Sequence, residues 1–132
     1  MIHADLIGRP FAYGGRGPEA YDCYGLVMEM WRRVHGTELP DYGSPEKLAL
    51  ISLHMHRAAG RDWVRVDDFT PGSVVLFRVE GFGAHVGFVL PYRRFLHAWH
   101  ETGGVTREAL DTADWRERRI GCYRFAGPDA SI

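Results

Sequence analysis

The sequence predicts an α+β domain, with N-terminal helices packed on an antiparallel β-sheet of about five strands. Three observations carry this prediction. Apolar residues recur at helical spacing in the first half of the chain, and short apolar runs between turn residues follow from about residue 63. Helices followed by a run of hairpin-connected strands are typical of an α+β fold. A length of 132 residues suits a single domain, over residues 1–132, with a core of its own.

The best-defined helix is predicted over residues 22–35. Asp22 is a suitable N-cap residue, and Gly36 suits the left-handed position that ends many helices. A short helix is expected within residues 2–8, and a second long one over residues 45–59. The apolar stripe of the 22–35 helix consists of Leu26, Val27, Met30, Trp31 and Val34.

Turn residues divide the second half of the chain into short apolar runs, which predict strands. A polar segment with one helical turn is expected around Trp115. The predicted strands cover residues 74–79, 84–90, 95–100, 105–108 and 120–125.

Composition excludes several classes of partner. Sixteen basic and seventeen acidic residues give a formal net charge of −1, so bulk electrostatics predict no nucleic-acid partner. No apolar stretch approaches the roughly 20 residues that span a bilayer, so no membrane insertion is expected. Residues 1–5 lack the pattern of a signal peptide, which predicts a protein made in the cytoplasm. No cofactor is predicted, because the Gly-rich loop at residues 11–17 lacks the P-loop lysine and hydroxyl residue.

Cys23 is the candidate nucleophile, since it stands where the 22–35 helix begins. A helix N-terminus carries partial positive charge, which favours the reactive thiolate. The alternative is a disulfide with Cys122, the only other cysteine, and it would consume the nucleophile. Cys122 is otherwise expected to be a small core residue within its strand.

A catalytic cysteine needs a base and a group that orients the base. His85 is the candidate base, and a three-residue turn at 91–93 would place His97 diagonal to it on one face. A four-residue loop at 91–94 would instead bring His100 opposite His85. The residues alone leave both registers open.

Other interpretations of these histidines remain. His85 alone would suit a half-buried position in a strand, and His54 and His56, two apart on a helix, point in different directions. Cys23, His85, His97 and His100 are plausible zinc ligands as a set, but their spacing matches no compact zinc motif.

Taken together, the motifs of residues 8–125 resemble the NlpC/P60 cysteine peptidases, which share a papain-like core. The segment at residues 22–27 followed by residues 38–42 is similar to the branch found in phage tail proteins and prophages. The motifs are Pro10-Phe11-Ala12-Tyr13-Gly14-Gly15, Asp22-Cys23-Tyr24-Gly25-Leu26-Val27, Thr70-Pro71-Gly72-Ser73, Ala84-His85-Val86-Gly87-Phe88, Leu96-His97-Ala98 and Gly104-Val105.

The resemblance implies hydrolysis of peptide bonds in bacterial cell-wall peptidoglycan, often the γ-D-glutamyl to diamino-acid bond. By motif match Cys23 is the nucleophile, His85 the base and His97 the third member of the triad. The implied partners are peptidoglycan stem peptides and other phage tail proteins, with the tail as the final location.

Two residues depart from the family pattern. Phe11 stands where the family usually has tyrosine, with Tyr13 two positions later, and Tyr24 stands where serine usually follows the cysteine. We therefore expect Phe11, Tyr13, Asp22 and Tyr24 to shape substrate binding. Two alternatives to the peptidase follow: a structural tail-tip module that is non-catalytic or gated, and a thiol-dependent amidase or acyltransferase on another substrate.

Overall fold

The computed structural model describes residues 2–42, 63–79 and 84–127. Two short 3-10 turns, Ala4–Leu6 and His100–Thr102, lie among the longer elements. In chain order the helices and strands are α1 (Cys23–His35), β1 (Trp63–Val66), β2 (Val74–Phe77), β3 (His85–Leu90), β4 (Arg94–Trp99), β5 (Gly104–Ala109), α2 (Ala113–Arg118) and β6 (Arg119–Phe125).

The strands form one sheet in the order β1-β6-β2-β3-β4-β5, and every neighbouring pair is antiparallel. The α+β prediction is confirmed. The edge strand β1 was not predicted, because its four residues are too few for a clear alternation of apolar and polar positions.

Several boundaries differ from the prediction. The expected helix within residues 2–8 is only the three-residue turn Ala4–Leu6, which Gly8 and Pro10 follow closely. The strand predicted to end at His100 ends at Trp99, because His100 begins a 3-10 turn. The predicted helix at 45–59, with His54 and His56, lies outside the described residues.

Both faces of the sheet are apolar, and within the described part of the chain α1 packs on one face and α2 on the other. Alternate residues of β2 divide between them: Val74 and Leu76 pack with α1, whereas Val75 and Phe77 pack with Trp115 of α2. The core therefore has two layers, one on each side of a buried sheet. We call these sides the α1 face and the α2 face.

The N-terminus of α1 is held by local hydrogen bonds. The Asp22 side chain accepts a hydrogen bond from the backbone N–H of Gly25 at 2.6 Å, as an N-cap does. At the other end, Gly36 has a φ of 74° and donates its N–H to the carbonyl of Arg32. Val34 is 41% exposed, so the buried stripe of α1 ends a turn earlier than expected.

The Gly-rich loop is pinned against the first turn of α1. The carbonyl of Gly15 accepts the backbone N–H of Asp22 at 3.1 Å and lies directly against Gly25. A Cβ atom at position 25 would lie 2.0 Å from that carbonyl oxygen. Only glycine therefore lets the loop approach the helix this closely.

Among the described helices, none has the length and apolar character needed to cross a membrane.

We expect Gly25→Ala to lower the free energy of unfolding by about 1–3 kcal/mol, since the loop or the helix must shift to admit the methyl group. This is opposite to the change expected from helix propensity alone, which favours alanine over glycine by about 1 kcal/mol. Urea denaturation measures it. Val34→Ala, at a half-exposed position of the same helix, is the control and should change stability little. Equal or greater stability of Gly25→Ala would contradict the close approach.

Candidate active site

A three-residue turn sets the register of the β3–β4 hairpin. Leu90 pairs with Arg94, and the intervening Tyr92 and Arg93 adopt left-handed backbone conformations. Extending the observed pairing places His97 opposite Gly87, which is the diagonal position to His85 on the same face. The structure thus has the odd-length turn. His100 follows β4 and is exposed.

A continuous chain of hydrogen bonds begins at His85. Its Nε2 atom lies 2.7 Å from Nδ1 of His97, and Nε2 of His97 lies 2.6 Å from Oε2 of Glu108. The other carboxylate oxygen of Glu108 accepts the indole N–H of Trp115 at 2.9 Å. We call these four side chains the relay. Both histidines in it are buried.

Glu108 was not singled out from the sequence. It lies on β5 at the position diagonal to His97, because Phe95 pairs with Glu108 and His97 pairs with Thr106. The sequence showed only that this carboxylate lies two residues after Thr106, in a predicted strand. That position indicates a contact with His97 only when the β4–β5 register is known.

The ring of His85 lies on the α2 face among aromatic side chains. Its centroid is 5.4 Å from that of Trp99 and 6.0 Å from those of Phe77 and Trp115. Burial lowers the pKa of His85 well below its ordinary value of 6.5, and the neighbouring positive charge of Arg118 acts in the same direction. His85 is therefore a neutral imidazole at neutral pH.

Cys23 is the first residue of α1 and is only 2% exposed. Burial raises the pKa of its thiol to about 12, and the adjacent Asp22 carboxylate contributes in the same direction. A hydrogen bond from the backbone N–H of Val86 favours the thiolate but does not offset the burial. Burial therefore opposes the thiolate that the partial charge of the helix start favours.

Cys23 and His85 approach the start of β3 from opposite sides of the sheet. The thiol packs in the α1-face cluster and contacts the backbone of Val86, the residue after His85. The His85 ring bonds to His97, and the Cys23 thiol and the His85 ring share no hydrogen bond. His85 uses Nε2 for that bond, so Nδ1 is the ring atom left for the thiol. The resting pair is a neutral thiol and a neutral imidazole.

Cys122 lies in the other layer of the core. It packs in the α2-face cluster, and its sulfur is 2.7 Å from the hydroxyl oxygen of Ser73. Both cysteines are free thiols, so the alternative of a disulfide with Cys23 is wrong. Among the described residues, no three His, Cys, Asp or Glu side chains are grouped to hold a metal ion, and the zinc alternative has no geometric support.

Two of the residues expected to shape substrate binding are buried instead. Asp22 is 1% exposed, caps α1 and accepts a hydrogen bond from Arg16 at 2.7 Å, so its oxygens are occupied. Tyr24 is fully buried, and its hydroxyl donates to the carbonyl of Pro40 at 2.7 Å. The second residue of α1 points into the core, so the structure does not place the Tyr24 ring at a substrate-binding surface.

The other two expected residues lie at the surface. Tyr13 is 67% exposed, and Phe11 contacts it edge-on with 5.0 Å between ring centroids. Phe11 also lies 6.1 Å from the His100 ring, which places this aromatic pair beside the end of β4. The Phe11–Tyr13 pair is therefore available to a ligand near the site.

A surface depression of about 380 Å³ lies beside Trp99, whose ring also packs against His85. Arg118 stacks over Trp99 at 5.5 Å and forms part of the lining. Arg78, Glu101 and Glu117 line it as well, so the depression presents charges of both signs.

Comparisons with known proteins identify the family of the chain. The profile of the NlpC/P60 family matches residues 8–124, so the chain belongs to the NlpC/P60 family. The chain is 28% identical over 116 residues to the murein DD-endopeptidase MepS/murein LD-carboxypeptidase of Escherichia coli K12, covering 88% of this chain and 55% of that relative. It is 29% identical over 112 residues to the probable endopeptidase NlpC of the same strain, covering 83% of this chain and 65% of the relative.

Solved structures share the fold. A lipoprotein-like protein of the NLP/P60 family from Staphylococcus aureus has a TM-score of 0.66 at 21% identity, over 94% of this chain and 39% of that one. The NlpC/p60 domain of the peptidoglycan hydrolase SagA has a TM-score of 0.64 at 17% identity, over 94% of this chain and 93% of that domain. The prediction of an NlpC/P60 core is confirmed.

Iodoacetamide labelling should follow the raised pKa of Cys23. Only the thiolate reacts, so the labelling rate of the resting protein should rise about tenfold per pH unit up to pH 10 without a plateau. Peptide mass spectrometry measures it, with Cys122→Ala leaving Cys23 as the single thiol. A plateau already reached below pH 7 would instead show a preformed thiolate–imidazolium pair.

Proposed function

We propose that this protein is a cysteine endopeptidase that hydrolyses peptide bonds in the stem peptides of bacterial peptidoglycan. Family membership supports the class, and relatives named as murein endopeptidases support the substrate. The observation that carries the proposal is the bonded pair His85 and His97 at the start of β3, where the next backbone N–H contacts the Cys23 thiol.

In the proposed mechanism, His85 acts as a general base because the resting thiol is neutral. Nδ1 of His85 takes the proton of Cys23 as the sulfur attacks the scissile carbonyl. His97 stabilises the resulting imidazolium by accepting a hydrogen bond from Nε2 of His85. The backbone N–H of Cys23, at the helix start, is suited to stabilise the oxyanion. His85 then returns the proton to the leaving amine, and water hydrolyses the thioester to release the acid and restore the thiol.

Substrate binding must bring the two groups together, because Cys23 is nearly inaccessible and not bonded to His85 at rest. A stem peptide carries both carboxylates and an amine, and the depression beside Trp99 offers arginines and glutamates to such a ligand. Following the family pattern, we propose the γ-D-glutamyl to diamino-acid bond as the scissile bond. The half-buried Phe11 and the exposed Tyr13 are proposed to contact the substrate.

Digestion of purified muropeptides of several stem lengths tests the activity. The wild-type protein should cleave them, and Cys23→Ala should reduce the rate by at least about a thousandfold through loss of the nucleophile. Mass spectrometry of the products locates the bond, and Cys122→Ala is the matched control that should remain active. Cleavage by Cys23→Ala would contradict the mechanism, and products formed only with an added amine would indicate an acyltransferase.

We further propose that the enzyme acts from a phage tail, as its motifs at residues 22–27 and 38–42 suggest. Peptides of this chain should be found by mass spectrometry in virions purified from a lysogen that carries its gene. Their absence from virions, with the protein abundant in the lysate, would contradict tail association.

The inaccessibility of Cys23 favours one second candidate, a tail component in which the fold serves assembly. Virions carrying Cys23→Ala distinguish the two. Normal tails with reduced infectivity support the enzyme, whereas unimpaired infectivity supports the structural role.

A further inference from the structure

We propose that Glu108 is a positioning residue, which fixes the protons of the relay so that Nδ1 of His85 is bare and able to accept the Cys23 proton. This inference rests on the proposed function for its catalytic meaning. The proton arrangement itself is a property of the resting protein and can be observed without substrate.

The first step is the direction of the bond between Glu108 and His97. An ionised carboxylate can only accept hydrogen bonds. Hydrogen bonds from His97 and Trp115 lower the pKa of Glu108, which keeps it ionised at neutral pH. The 2.6 Å contact with Oε2 of Glu108 therefore requires a proton on Nε2 of His97.

The second step is part of the proposal: His97 is taken as a neutral imidazole, which has one N–H and one bare nitrogen. With its proton on Nε2, His97 offers a bare Nδ1 to its neighbour. The 2.7 Å contact with His85 must then be an N–H donated by Nε2 of His85. His85 is left with a bare Nδ1, which is the form required of a general base.

Trp115 occupies the other oxygen of the Glu108 carboxylate. Its indole N–H is a donor only and occupies Oε1 of Glu108 at 2.9 Å, so both oxygens of the carboxylate face donors. Trp115 is 3% exposed and packs in the α2-face cluster, which holds the carboxylate in place. A glutamine at position 108 would have only one oxygen for two donors.

The substitution Glu108→Gln therefore has a definite expected effect. Its amide oxygen serves Trp115 and its amide N–H₂ faces His97, which forces the proton of His97 onto Nδ1 and that of His85 onto Nδ1. Since the His85 Nδ1 can then no longer accept a proton, kcat on muropeptides should fall by roughly a hundredfold with KM little changed. Glu38→Gln, the same chemical change at an exposed residue that pairs with Arg32 of α1, should leave kcat unchanged.

Nitrogen-15 NMR of the histidine side chains tests the proposal directly, because protonated and bare ring nitrogens differ widely in chemical shift. In the wild type, His85 and His97 should both be protonated on Nε2 alone, and in Glu108→Gln on Nδ1 alone. Identical tautomers in the two proteins would overturn the proposal, as would a His97 protonated on both nitrogens in the wild type. The tautomers can be measured even if the protein cleaves no muropeptide. In that case the proposed function fails, and the proposal on Glu108 is still tested.

A double variant provides the second readout. Trp115→Phe removes the competing donor, so the glutamine of Glu108→Gln can turn its oxygen toward His97 and restore the original tautomers. The kcat of the double variant Glu108→Gln with Trp115→Phe should therefore be at least about tenfold higher than that of Glu108→Gln alone. A further fall in kcat, in a double variant shown by circular dichroism to be folded, would overturn the tautomer account.

Discussion

The register between β3 and β4 is the constraint on which the rest of the structure depends. It is set by the three residues between Leu90 and Arg94, two of which accept left-handed conformations. Because side chains alternate in a strand, a slip of one residue would move His97 to the α1 face and Leu96 to the α2 face. The same slip would bury polar rings among the apolar residues under α1. The same β3–β4 register therefore both packs the core and aligns the side chains of the relay.

Much of this arrangement could be predicted from the sequence because it depends on local rules. The cap at Asp22, the position of Cys23 at a helix start and the pairing of two histidine-bearing strands all follow from short-range patterns. Local rules do not determine whether the β3–β4 turn has an odd or an even number of residues, because Pro91 to Arg94 suits either loop length. The role of Glu108 depends on a second register, and the inward direction of Tyr24 depends on how α1 packs against the sheet.

Cys23 shows how a local electrostatic effect yields to its surroundings. The partial charge of a helix N-terminus contributes at most a modest stabilisation of an anion, and it falls off within one turn. Removal of a thiolate from water is more costly, and the Asp22 carboxylate, which the cap requires, opposes the thiolate further. The Asp22 carboxylate thus stabilises the start of α1 but makes the Cys23 thiol less reactive. In the resting protein, burial prevails and the raised pKa keeps the Cys23 thiol neutral.

The division of the core into two faces bears on when the protein acquires reactivity. The Cys23 sulfur belongs to the layer under α1, while the His85 ring and the Glu108 carboxylate contact Trp115 in the layer under α2. A nascent or partly unfolded chain that has assembled only one of these layers contains an ordinary thiol and an ordinary histidine. In the proposed mechanism, acylation chemistry therefore depends on the complete fold.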